Sequence, residues 1–333
     1  MLEAAIVGIG TWGQNLVRSA AGSERIRFVA GATGTPAKAH EFCRQNGIAL
    51  SPSYESLLQT DVQAVVLATP HSRHCAQIVA AAQAGKHVFV EKPLGVDRNE
   101  STRAVEACQR AGVTLAVGYN WRFQPALQEV KRMLGDGRLG KLLHMEGNFC
   151  GPSAYRFSRG HWRHDAGREA PAGGMTGRGV HVVDAMLYLA GHIDAVSAQS
   201  LRLAQDFGMD DTTSMLFRFR GGASGYLGTV VATAETWRLQ VFGSKGWVQL
   251  GDVEHLAKWD MQVCLLNEKL EKLRPRIVEF PEVGTERAEL EHFAEAALAR
   301  RPIAVPGGDE VHNVAVLEAI VASSKNRTWE KVR

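Results

Sequence analysis

The sequence predicts an α/β protein of two domains. The N-terminal domain is built on a doubly wound parallel sheet, and the C-terminal domain is α+β with a large, mostly antiparallel sheet. The 333 residues are enough for about two domains of ordinary size. Short apolar runs alternate with helical stretches as far as residue 118, whereas strand-like runs dominate from 195 to 250. We therefore place the domains at residues 1–120 and 121–333.

The first domain is predicted from alternating strands and helices. Its strands are nearly continuous in apolar residues, as in parallel strands buried on both faces, and lie at Ala4–Val7, Arg27–Ala30, Ala64–Ala68, His87–Val90 and Thr114–Val117. Helices are predicted at Gly13–Ala21, Pro36–Asn46, Ser53–Leu58, His74–Ala84 and Arg98–Ala111. Alternating units of this kind form a parallel sheet with helices on both faces, the Rossmann arrangement.

The second domain is predicted to open with a helix near Gln124–Leu134 and a strand at Leu142–Phe149. A helix at about Gly174–Ala190 follows an irregular, arginine-rich stretch. Turn residues between some of the later strands favour an antiparallel meander. The remaining strands are predicted at Val196–Leu203, Thr212–Arg218, Ala223–Val231, Trp237–Phe242 and Gly246–Leu250, and the closing helices near Glu286–Arg300 and Asp309–Ser324.

The composition excludes several classes of protein. With 45% hydrophobic and 22% charged residues, the chain is globular rather than disordered. The formal net charge of +3 is too small to indicate a nucleic acid or a membrane surface as partner. The longest apolar runs are far below the roughly 20 residues of a membrane span. Five cysteines without a CxxC pair indicate no metal site and no disulfide framework, and predict reduced thiols in the cytoplasm.

The segment GIGTWG, which begins at Gly8, predicts a dinucleotide site. Its GxGxxG spacing follows a predicted strand and opens a predicted helix, which is the context that this weak pattern needs. Gly8 permits a tight turn, Gly10 lets the backbone approach a pyrophosphate, and Gly13 allows close packing of helix on strand. N–H groups at the start of the helix then stabilise the phosphate charge. Thr11 and Trp12 belong to the same predicted site.

The acidic residue that binds the ribose of NAD is missing. It is expected about 20 residues after the glycines, but the position just past the second strand is Thr33. A carboxylate there would repel a 2′-phosphate, whereas Thr33 and Thr35 offer hydroxyls and Lys38 offers a cation. We therefore expect NADP to be preferred over NAD. The alternative is that the hydroxyls only cap the next helix.

Two further segments end strands of the parallel sheet, where ligands bind in such folds. The first is ATPHSRH, and the second contains EKP. Lys92 of EKP follows a buried strand beside Glu91, and a partly desolvated lysine exchanges protons near neutral pH. The alternative is a solvated lysine in a turn. The cofactor-binding residues predicted in these segments are Thr69, Pro70, His71, His74, Glu91 and Lys92.

Taken together, these motifs resemble those of the Gfo/Idh/MocA oxidoreductase family. The resemblance spans nearly the whole chain in the family's order, and it also rests on GYNWRF at 118–123, AGGMTGRGVHVVD at 172–184, VFGSKGWVQL at 241–250 and LEAIVASSK at 317–325. It implies a Rossmann domain and a C-terminal α/β domain whose open sheet commonly forms the subunit interface. We therefore expect a homodimer or homotetramer.

The resemblance also implies the chemistry. Family members mostly oxidise or reduce sugars, polyols and related hydroxy compounds with NAD(P), and the lysine of EKP acts near the reacting hydroxyl. Lys92 is thereby predicted as the acid/base. The family's second motif has an aspartate and a histidine four residues apart. Here the histidine is His181, which we expect to assist, but Gly177 occupies the position of the aspartate. Asp184, at the end of that motif, is predicted to be structural.

The remaining predicted substrate contacts are aromatic and basic. Trp162 and Arg163 resemble a common pair of the family near the mouth of the site, and Arg178 adds a cation beside Gly177. The stretch 155–168 carries four arginines against one aspartate. These charges favour an anionic substrate, such as a sugar acid or a diol with a carboxylate. The alternatives are a solvated basic loop, binding of this stretch to the cofactor's phosphates, and a larger neutral substrate admitted by Gly177. The residues at the crossing between the domains that we expect to line the site are Tyr119, Asn120 and Arg122.

The sequence therefore predicts an NAD(P)-dependent dehydrogenase or reductase that acts on a CH–OH or C=O group of a small hydroxylated substrate. Two other functions remain open at this point. One is a redox-neutral enzyme whose tightly held cofactor is reduced and reoxidised in one turnover. The other is a nucleotide-binding sensor without catalysis, which the loss of the aspartate at Gly177 makes conceivable.

Overall fold

The structure, a computed structural model, describes residues 1–164, 169–301 and 310–333. The chain forms two compact units. The first contains residues 1–120 and the described part of 284–306, and the second contains residues 121–283 and the described part of 307–333. The chain thus leaves the first unit after Asn120 and returns to it later, which the sequence pattern does not indicate.

The first unit contains a six-stranded sheet, and all of its neighbouring strands are parallel. The strands are β1 (Leu2–Val7), β2 (Ile26–Ala32), β3 (Ala49–Leu50), β4 (Ala64–Leu67), β5 (His87–Glu91) and β6 (Leu115–Gly118). Their order is β3-β2-β1-β4-β5-β6, which reverses direction between β1 and β4. Ligands bind beyond the carboxyl ends of the strands at such a reversal. The predicted Rossmann sheet is confirmed, with the two-residue β3 as an addition.

Five helices connect these strands, and their ends follow local signals. They are α1 (Thr11–Ser19), α2 (Pro36–Gln45), α3 (Tyr54–Leu58), α4 (His74–Gln83) and α5 (Arg98–Ala111). Asp97 caps α5, because its carboxylate accepts a hydrogen bond from the Glu100 N–H at 2.7 Å. Gly112 ends the same helix with a φ of +65°. The backbone around the candidate site is therefore well specified locally.

The second unit contains a nine-stranded sheet in the order β14-β13-β12-β11-β7-β10-β9-β8-β15. The strands are β7 (Leu142–Cys150), β8 (Ile193–Leu201), β9 (Thr212–Phe219), β10 (Ser224–Val230), β11 (Thr236–Gly243), β12 (Gly246–Leu250), β13 (Met261–Leu265), β14 (Arg276–Val278) and β15 (Glu330–Lys331). Only β7 and β10 pair in parallel. The predicted mostly antiparallel sheet is confirmed, but the predicted meander over 212–250 is interrupted, because β7 lies between β10 and β11. Strands β13 to β15 were not predicted from the sequence.

Helices of the remaining chain are α6 (Pro125–Gly135), α7 (Ser153–Arg156), α8 (Val180–Ala190), α9 (Thr285–Leu298) and α10 (Glu310–Asn326). The segment Met175–Gly179 is π-helical and leads directly into α8, so the helix predicted from Gly174 is interrupted in its hydrogen-bond pattern. Of the predicted closing helix Asp309–Ser324, the first residue lies outside the described part of the chain.

Helix α9 belongs to the first unit, although it follows the second unit's strands in the chain. Phe293 is fully buried in the core of the first sheet, with its ring 5.8 Å from that of Phe89 on β5. The sequence analysis had assigned the whole of 121–333 to the second domain. The amphipathic pattern of α9 shows which of its faces is buried, but not which sheet covers that face.

One face of the nine-stranded sheet is covered and the other is open. Along β9 and β10 the buried residues alternate with more exposed ones, as a sheet with one solvated face requires. Met215, Phe217 and Leu227 point into the core. Leu216 and Tyr226, on the opposite face, are 49% and 38% exposed. Among the described residues, β9 and β10 thus present one buried face and one partly exposed face.

Candidate active site

The glycine turn after β1 has the geometry of a phosphate-binding loop. Gly8 has a φ of +90°, a region that favours glycine, and a side-chain carbon there would collide with the carbonyl group of Ala68. A side-chain carbon on Gly13 would collide with the carbonyl oxygen of Gly8, so α1 packs tightly on the turn. On Gly10, by contrast, it would meet no atom within 4 Å. The space over the backbone at Gly10 is therefore open to a ligand.

The start of α1 offers the donors that a phosphate needs. The helix begins at Thr11, Gly10 provides no capping side chain, and the first turn contains no acidic residue. Uncapped N–H groups at a helix start carry partial positive charge. These donors and the open space at Gly10 fit the pyrophosphate of a dinucleotide. Gly10 and Thr11 are the residues that would hold it.

The predicted ribose end of the site lies between β2 and α2. The hydroxyl of Thr33 accepts a hydrogen bond from the Thr35 N–H at 3.5 Å. Thr35 immediately precedes α2, but its side chain makes no capping hydrogen bond. Lys38 is exposed on the first turn of α2. Capping therefore does not account for the Thr35 hydroxyl, and the predicted group of two hydroxyls and one cation occupies one short segment.

The loop after β4 carries four of the predicted cofactor contacts. Thr69 and Pro70 lead into a single turn of 3₁₀ helix that begins at His71, which is buried. The Thr69 hydroxyl donates a hydrogen bond to the Gln77 side chain at 2.6 Å. Thr69 also approaches Gly8, since its methyl group would lie 3.1 Å from a side-chain carbon there. The loop after β4 and the glycine turn are therefore neighbours, as predicted for strands on either side of the reversal.

His74 connects this loop with the segment that contains Lys92. Its ring nitrogens Nδ1 and Nε2 lie 2.9 Å from the carbonyl oxygens of Pro93 and Thr69, respectively. The side chain is fully buried at the start of α4. The sequence analysis grouped His74 with the cofactor contacts, whereas the structure places it between two backbone carbonyl groups. It therefore holds the loops instead of presenting its ring to a ligand.

Lys92 lies at the carboxyl end of β5, half-buried beside a buried carboxyl group. The backbone N–H of Lys92 donates to Oε2 of Glu91 at 3.3 Å. Burial raises the pKa of Glu91, although the Lys92 charge and the Trp12 indole oppose that shift, and Glu286 at the start of α9 adds to it. Proton affinity at this end of the sheet is thus set by several ionisable groups close together.

Tyr119 and Asn120 follow β6 and are both buried. The amide nitrogen Nδ2 of Asn120 donates to the Thr285 hydroxyl at 3.3 Å, and that hydroxyl donates to Glu286 at 3.2 Å. The Oδ1 atom of Asn120 is also buried but has no hydrogen-bond partner among the described residues. A buried amide oxygen without a partner is costly in the protein alone. It is therefore a ready acceptor for a cofactor or substrate.

Arg122 has a structural partner in the second unit. Its guanidinium group donates to both carboxylate oxygens of Asp184 on α8, at 2.6 and 2.9 Å, and both side chains are buried. Burial raises the pKa of Asp184 while the Arg122 charge opposes that shift. A two-bond pair of this kind fixes α8 to the turn before α6. The structure supports the structural role predicted for Asp184 and favours a positioning role for Arg122 over the predicted substrate contact.

His181 lies on the first turn of α8 within a cluster of aromatic rings. Its imidazole stacks on Trp121, with a centroid distance of 5.3 Å and an interplanar angle of 21°. Phe149 and His255 also lie against it, at 5.9 and 5.8 Å. Trp121 donates its indole N–H to Nδ1 of His255 at 3.5 Å. The other two rings packed on Trp121 are Trp237 and Trp259.

Arg178 does not present an unpaired charge. Its guanidinium forms an ion pair with Glu235, donates to the carbonyl of Cys150 at 3.1 Å, and lies 4.9 Å from the centre of the Phe149 ring. Gly177, one residue earlier, is different, because a side-chain carbon there would meet no atom within 4 Å. The missing aspartate thus leaves space, while the neighbouring arginine is neutralised by a carboxylate that the sequence analysis did not identify.

The described arginines of the arginine-rich stretch contact carboxylates and aromatic rings. The Arg163 guanidinium lies over Trp162 at 4.6 Å and over Phe157 at 5.4 Å. Arg159 pairs with Asp206 at 3.0 Å. Arg168, the last of the four arginines, lies outside the described residues. Trp162 and Arg163 are half-buried. Much of the positive charge of the described arginines is already paired with carboxylates or stacked on rings.

Sequence reasoning missed several residues that the structure adds. His255 and Trp259 come from the irregular segment between β12 and β13, and Glu286 comes from α9. Their partners are far away in the chain, so no local spacing indicates them. The only available signal was their residue types, since a histidine and a tryptophan four residues apart in a polar loop are unusual. Trp121 lay within a quoted motif but was assigned no role.

Comparison with known families agrees with this geometry. Residues 2–119 match the oxidoreductase family with an NAD-binding Rossmann fold, and residues 127–249 match the GFO/IDH/MocA C-terminal domain. The chain belongs to the Gfo/Idh/MocA oxidoreductase family. This Gfo/Idh/MocA protein is accordingly an NAD-binding dehydrogenase that acts on hydroxyl groups of small molecules. The predicted family, fold and enzyme class are confirmed.

Individual relatives share most of its length. The chain is 29% identical to scyllo-inositol 2-dehydrogenase (NAD(+)) of Bacillus subtilis strain 168, covering 98% of this chain and 94% of the relative. It is 30% identical to trans-1,2-dihydrobenzene-1,2-diol dehydrogenase of Oryctolagus cuniculus over 67% of each protein. Among solved structures, the aldose-aldose oxidoreductase of Caulobacter crescentus complexed with glycerol superposes with a TM-score of 0.88 at 27% identity, covering 99% of both chains.

Membrane-spanning helices and metal-binding clusters are two further features to consider. Within residues 1–164, 169–301 and 310–333, every helix is too short or too polar to cross a membrane. The same residues contain no group of three or more His, Cys, Asp or Glu side chains arranged to hold a metal ion.

Proposed function

We propose that this oxidoreductase transfers hydride between NADP and a secondary alcohol of a neutral cyclic polyol or diol. The observation that carries the proposal is the pairing of Arg178 with Glu235 beside the open position at Gly177. A side-chain carbon at Gly177 would meet no atom within 4 Å, and the arginine next to it is already neutralised. Two of the relatives named above act, by their names, on an inositol and on a dihydrodiol.

Lys92 is the proposed acid/base. In oxidation its neutral amine accepts the proton of the reacting hydroxyl, and in reduction its ammonium form returns a proton to the carbonyl oxygen. A bound nicotinamide accepts or supplies the hydride. Support for this role comes from the position of Lys92 at the end of β5, next to the buried Glu91 and in the same unit as the glycine turn.

His181 is proposed to hold a second substrate hydroxyl. Its ring is fixed by stacking on Trp121. An imidazole that is already fixed in one orientation loses little conformational entropy when it binds and positions a substrate hydroxyl. Gly177, one helical turn before His181, leaves the space in which such a substrate ring would lie. His181 therefore positions the substrate, and the proton transfer is left to Lys92.

A preference for NADP is proposed from the segment after β2. Thr33 stands where NAD-binding enzymes carry an acid, and Lys38 adds a cation two residues into α2. The Thr35 hydroxyl makes no cap, which leaves it available to a 2′-phosphate.

The substrate prediction from the sequence changes here. An anionic substrate was expected from Arg178 and the arginine-rich stretch, but Glu235 and Asp206 pair with two of those arginines. A panel of matched neutral and carboxylated cyclic alcohols, assayed by the absorbance of reduced cofactor, tests the proposal. Higher kcat/KM for the neutral member of each pair supports it, and a preference for the carboxylate that is lost in Arg163→Ala overturns it.

A redox-neutral reaction is the second candidate. It is favoured by the similarity to the aldose-aldose oxidoreductase, whose name places an aldose on both sides of its reaction. In that case cofactor absorbance remains with the protein after gel filtration, and turnover needs no added cofactor. Release of all cofactor on the column would contradict it. Cofactor binding without turnover of any compound in the panel would instead support a sensor.

The open face of the nine-stranded sheet supports self-association. The apolar side chains of Leu216 and Tyr226 on that face are at least a third exposed, and exposed apolar patches mark interfaces. We propose a homodimer or homotetramer with two-fold pairing. A monomeric mass in light scattering at micromolar concentration would contradict this. The five cysteines are all free, four of them buried, which fits a reducing compartment such as the cytoplasm.

A further inference from the structure

His74 is placed where only a charged imidazole satisfies its surroundings. It is the first residue of α4, and none of its surface is exposed. The side chain of a residue at a helix start leans back toward the preceding turn. Its Nδ1 thereby lies 2.9 Å from the carbonyl oxygen of Pro93, and its Nε2 lies 2.9 Å from that of Thr69. Both of these partners can only accept hydrogen bonds.

A neutral imidazole cannot serve both partners. It carries one N–H group and one nitrogen lone pair, so one of the two carbonyl oxygens would face a lone pair at 2.9 Å. An imidazolium donates to both oxygens, and hydrogen bonds from a charged donor are the stronger kind. The dipole of α4 disfavours a cation at this end. Burial of the ring also disfavours a cation, and the two charge-assisted hydrogen bonds oppose both the burial and the dipole.

We propose that His74 is a permanently protonated, buried imidazolium that clamps the loop after β4 to the segment that follows Lys92. Thr69 belongs to the first loop, and Pro93 directly follows Lys92 in the chain. Holding the Pro93 carbonyl limits the movement of the lysine backbone. His74 is therefore a positioning residue, and its positive charge also makes it easier for Lys92 to release its proton.

Ionisable groups of both signs lie on the elements that pack against α4, among them Arg103 and Glu100 of α5. His71 lies 5.9 Å away, ring centre to ring centre. Glu91 precedes Lys92 and supplies a buried carboxyl group on the same strand. Asp97 caps α5, which packs on α4, and Cys75 follows His74 with its thiol directed to Leu94 and Ser101. The catalytic consequence rests on the proposed role of Lys92, whereas the protonation of His74 does not.

The first experiment measures the ring protons of His74 directly. Two-dimensional ¹⁵N NMR of histidine-labelled protein without substrate, recorded between about pH 6 and 8, separates imidazolium from the two neutral tautomers. His74, assigned by comparison with His74→Gln, is expected to keep both protons throughout this range, and the exposed His40 serves as an internal reference. A single ring proton on His74 at neutral pH overturns the proposal. If His74→Gln is unstable, the His74 signals are assigned instead through selectively labelled neighbouring residues, and the protonation state is still read from the wild-type spectrum.

The second experiment tests the effect on Lys92. His74→Gln is compared with His40→Gln, which removes an exposed imidazole from α2. We expect kcat to fall about tenfold in His74→Gln with less than about threefold change in the dissociation constant of NADPH. The pH at half-maximal kcat for oxidation should rise by about half a unit or more, because a nearby positive charge is lost. An unchanged pH profile would show a structural residue only and overturn the effect on Lys92. If Lys92→Ala kept its turnover, the proposed function would fail while the NMR result on His74 stood.

Discussion

Lys92 and His181 occupy contrasting surroundings. Lys92 lies in the first unit beside ionisable groups, with the buried carboxyl of Glu91 next to it and Glu286 close enough to raise the pKa of that carboxyl. His181 lies in the second unit among rings, stacked on Trp121 and flanked by Phe149 and His255. The surroundings of Lys92 therefore act on its proton affinity through charge, whereas those of His181 act on the orientation of its ring through packing.

The contrast matches what each residue is proposed to do. A group that accepts and returns a proton needs a proton affinity near the working pH, and neighbouring charges change that affinity most strongly. A group that orients a hydroxyl needs a fixed ring, and stacked aromatic residues hold a ring without adding charge. Substitutions around Lys92 should therefore change pH dependence, whereas those around His181 should change positioning and stability.

The largest expected effect comes from removing the amine. Lys92→Ala should lower kcat by about 100-fold or more, because it removes the proposed acid/base. The dissociation constant for NADPH, measured by fluorescence titration, should change little, since the glycine turn is untouched. Lys86→Ala, just before β5, is the matched control. Near-normal turnover of Lys92→Ala would remove Lys92 from the mechanism.

The ring cluster around Trp121 and His181 is tested with two variants of Trp121. Trp121→Leu removes the aromatic ring, whereas Trp121→Phe keeps a smaller one. The leucine variant should lose about 2–4 kcal/mol of unfolding free energy and about tenfold in kcat, because a large buried ring and the stacking partner of His181 are both lost. The phenylalanine variant should fall between it and the wild type. Urea unfolding and steady-state kinetics measure both quantities. Trp329→Leu, at a position where the indole is exposed, controls for loss of a tryptophan.

If turnover of Trp121→Leu stayed normal while its stability fell, the cluster would be a structural core and His181 would need no stacking partner. That result would also end the contrast with Lys92, since packing of the rings would then have no effect on turnover.

The cofactor prediction sharpens the role of charge in the first unit. Thr33→Asp should shift the ratio of NADPH to NADH dissociation constants by about tenfold or more toward NADH, because a carboxylate repels the 2′-phosphate and accepts from the ribose hydroxyl. Thr102→Asp, on an exposed part of α5, introduces the same charge elsewhere. Wild-type protein that binds NADH as tightly as NADPH would refute the proposed preference outright.

The smallest expected effect is a change in how the unfolding free energy varies with pH. Burial raises the pKa of Glu91 in the folded protein, so its contribution to stability is complete below its unfolded value of about 4.5 and is lost as the pH rises through the folded value. Urea unfolding of Glu91→Gln should therefore lack the decline in unfolding free energy that this residue gives the wild type as the pH rises above about 4.5. Glu106→Gln, on α5, controls for the change in net charge. Parallel stability curves for wild type and Glu91→Gln would contradict the buried carboxyl.

Sequence patterns were most informative where the chemistry is local. The glycines of GIGTWG, the lysine after β5 and the histidine at the start of α8 all depend on neighbours within one strand–turn–helix segment, so spacing predicted their places. The ion pairs of Arg122 and Arg178 were not predicted, because Asp184 and Glu235 lie 62 and 57 residues away in the chain. The anionic substrate was inferred from charges whose partners the sequence does not show.

The sequence by itself determined the class of the protein and the order of its elements. Buried parallel strands read as continuous apolar runs, half-buried antiparallel strands read as alternation, and glycine is favoured where φ is positive or two backbones approach closely. Tertiary structure alone decided which distant groups meet. It placed α9 on the first sheet, set His181 against rings from three separate segments, and set His74 between the carbonyl groups of Thr69 and Pro93. Contacts of this kind depend on how elements pack in space, and neither the periodicity of one element nor its composition encodes its partners.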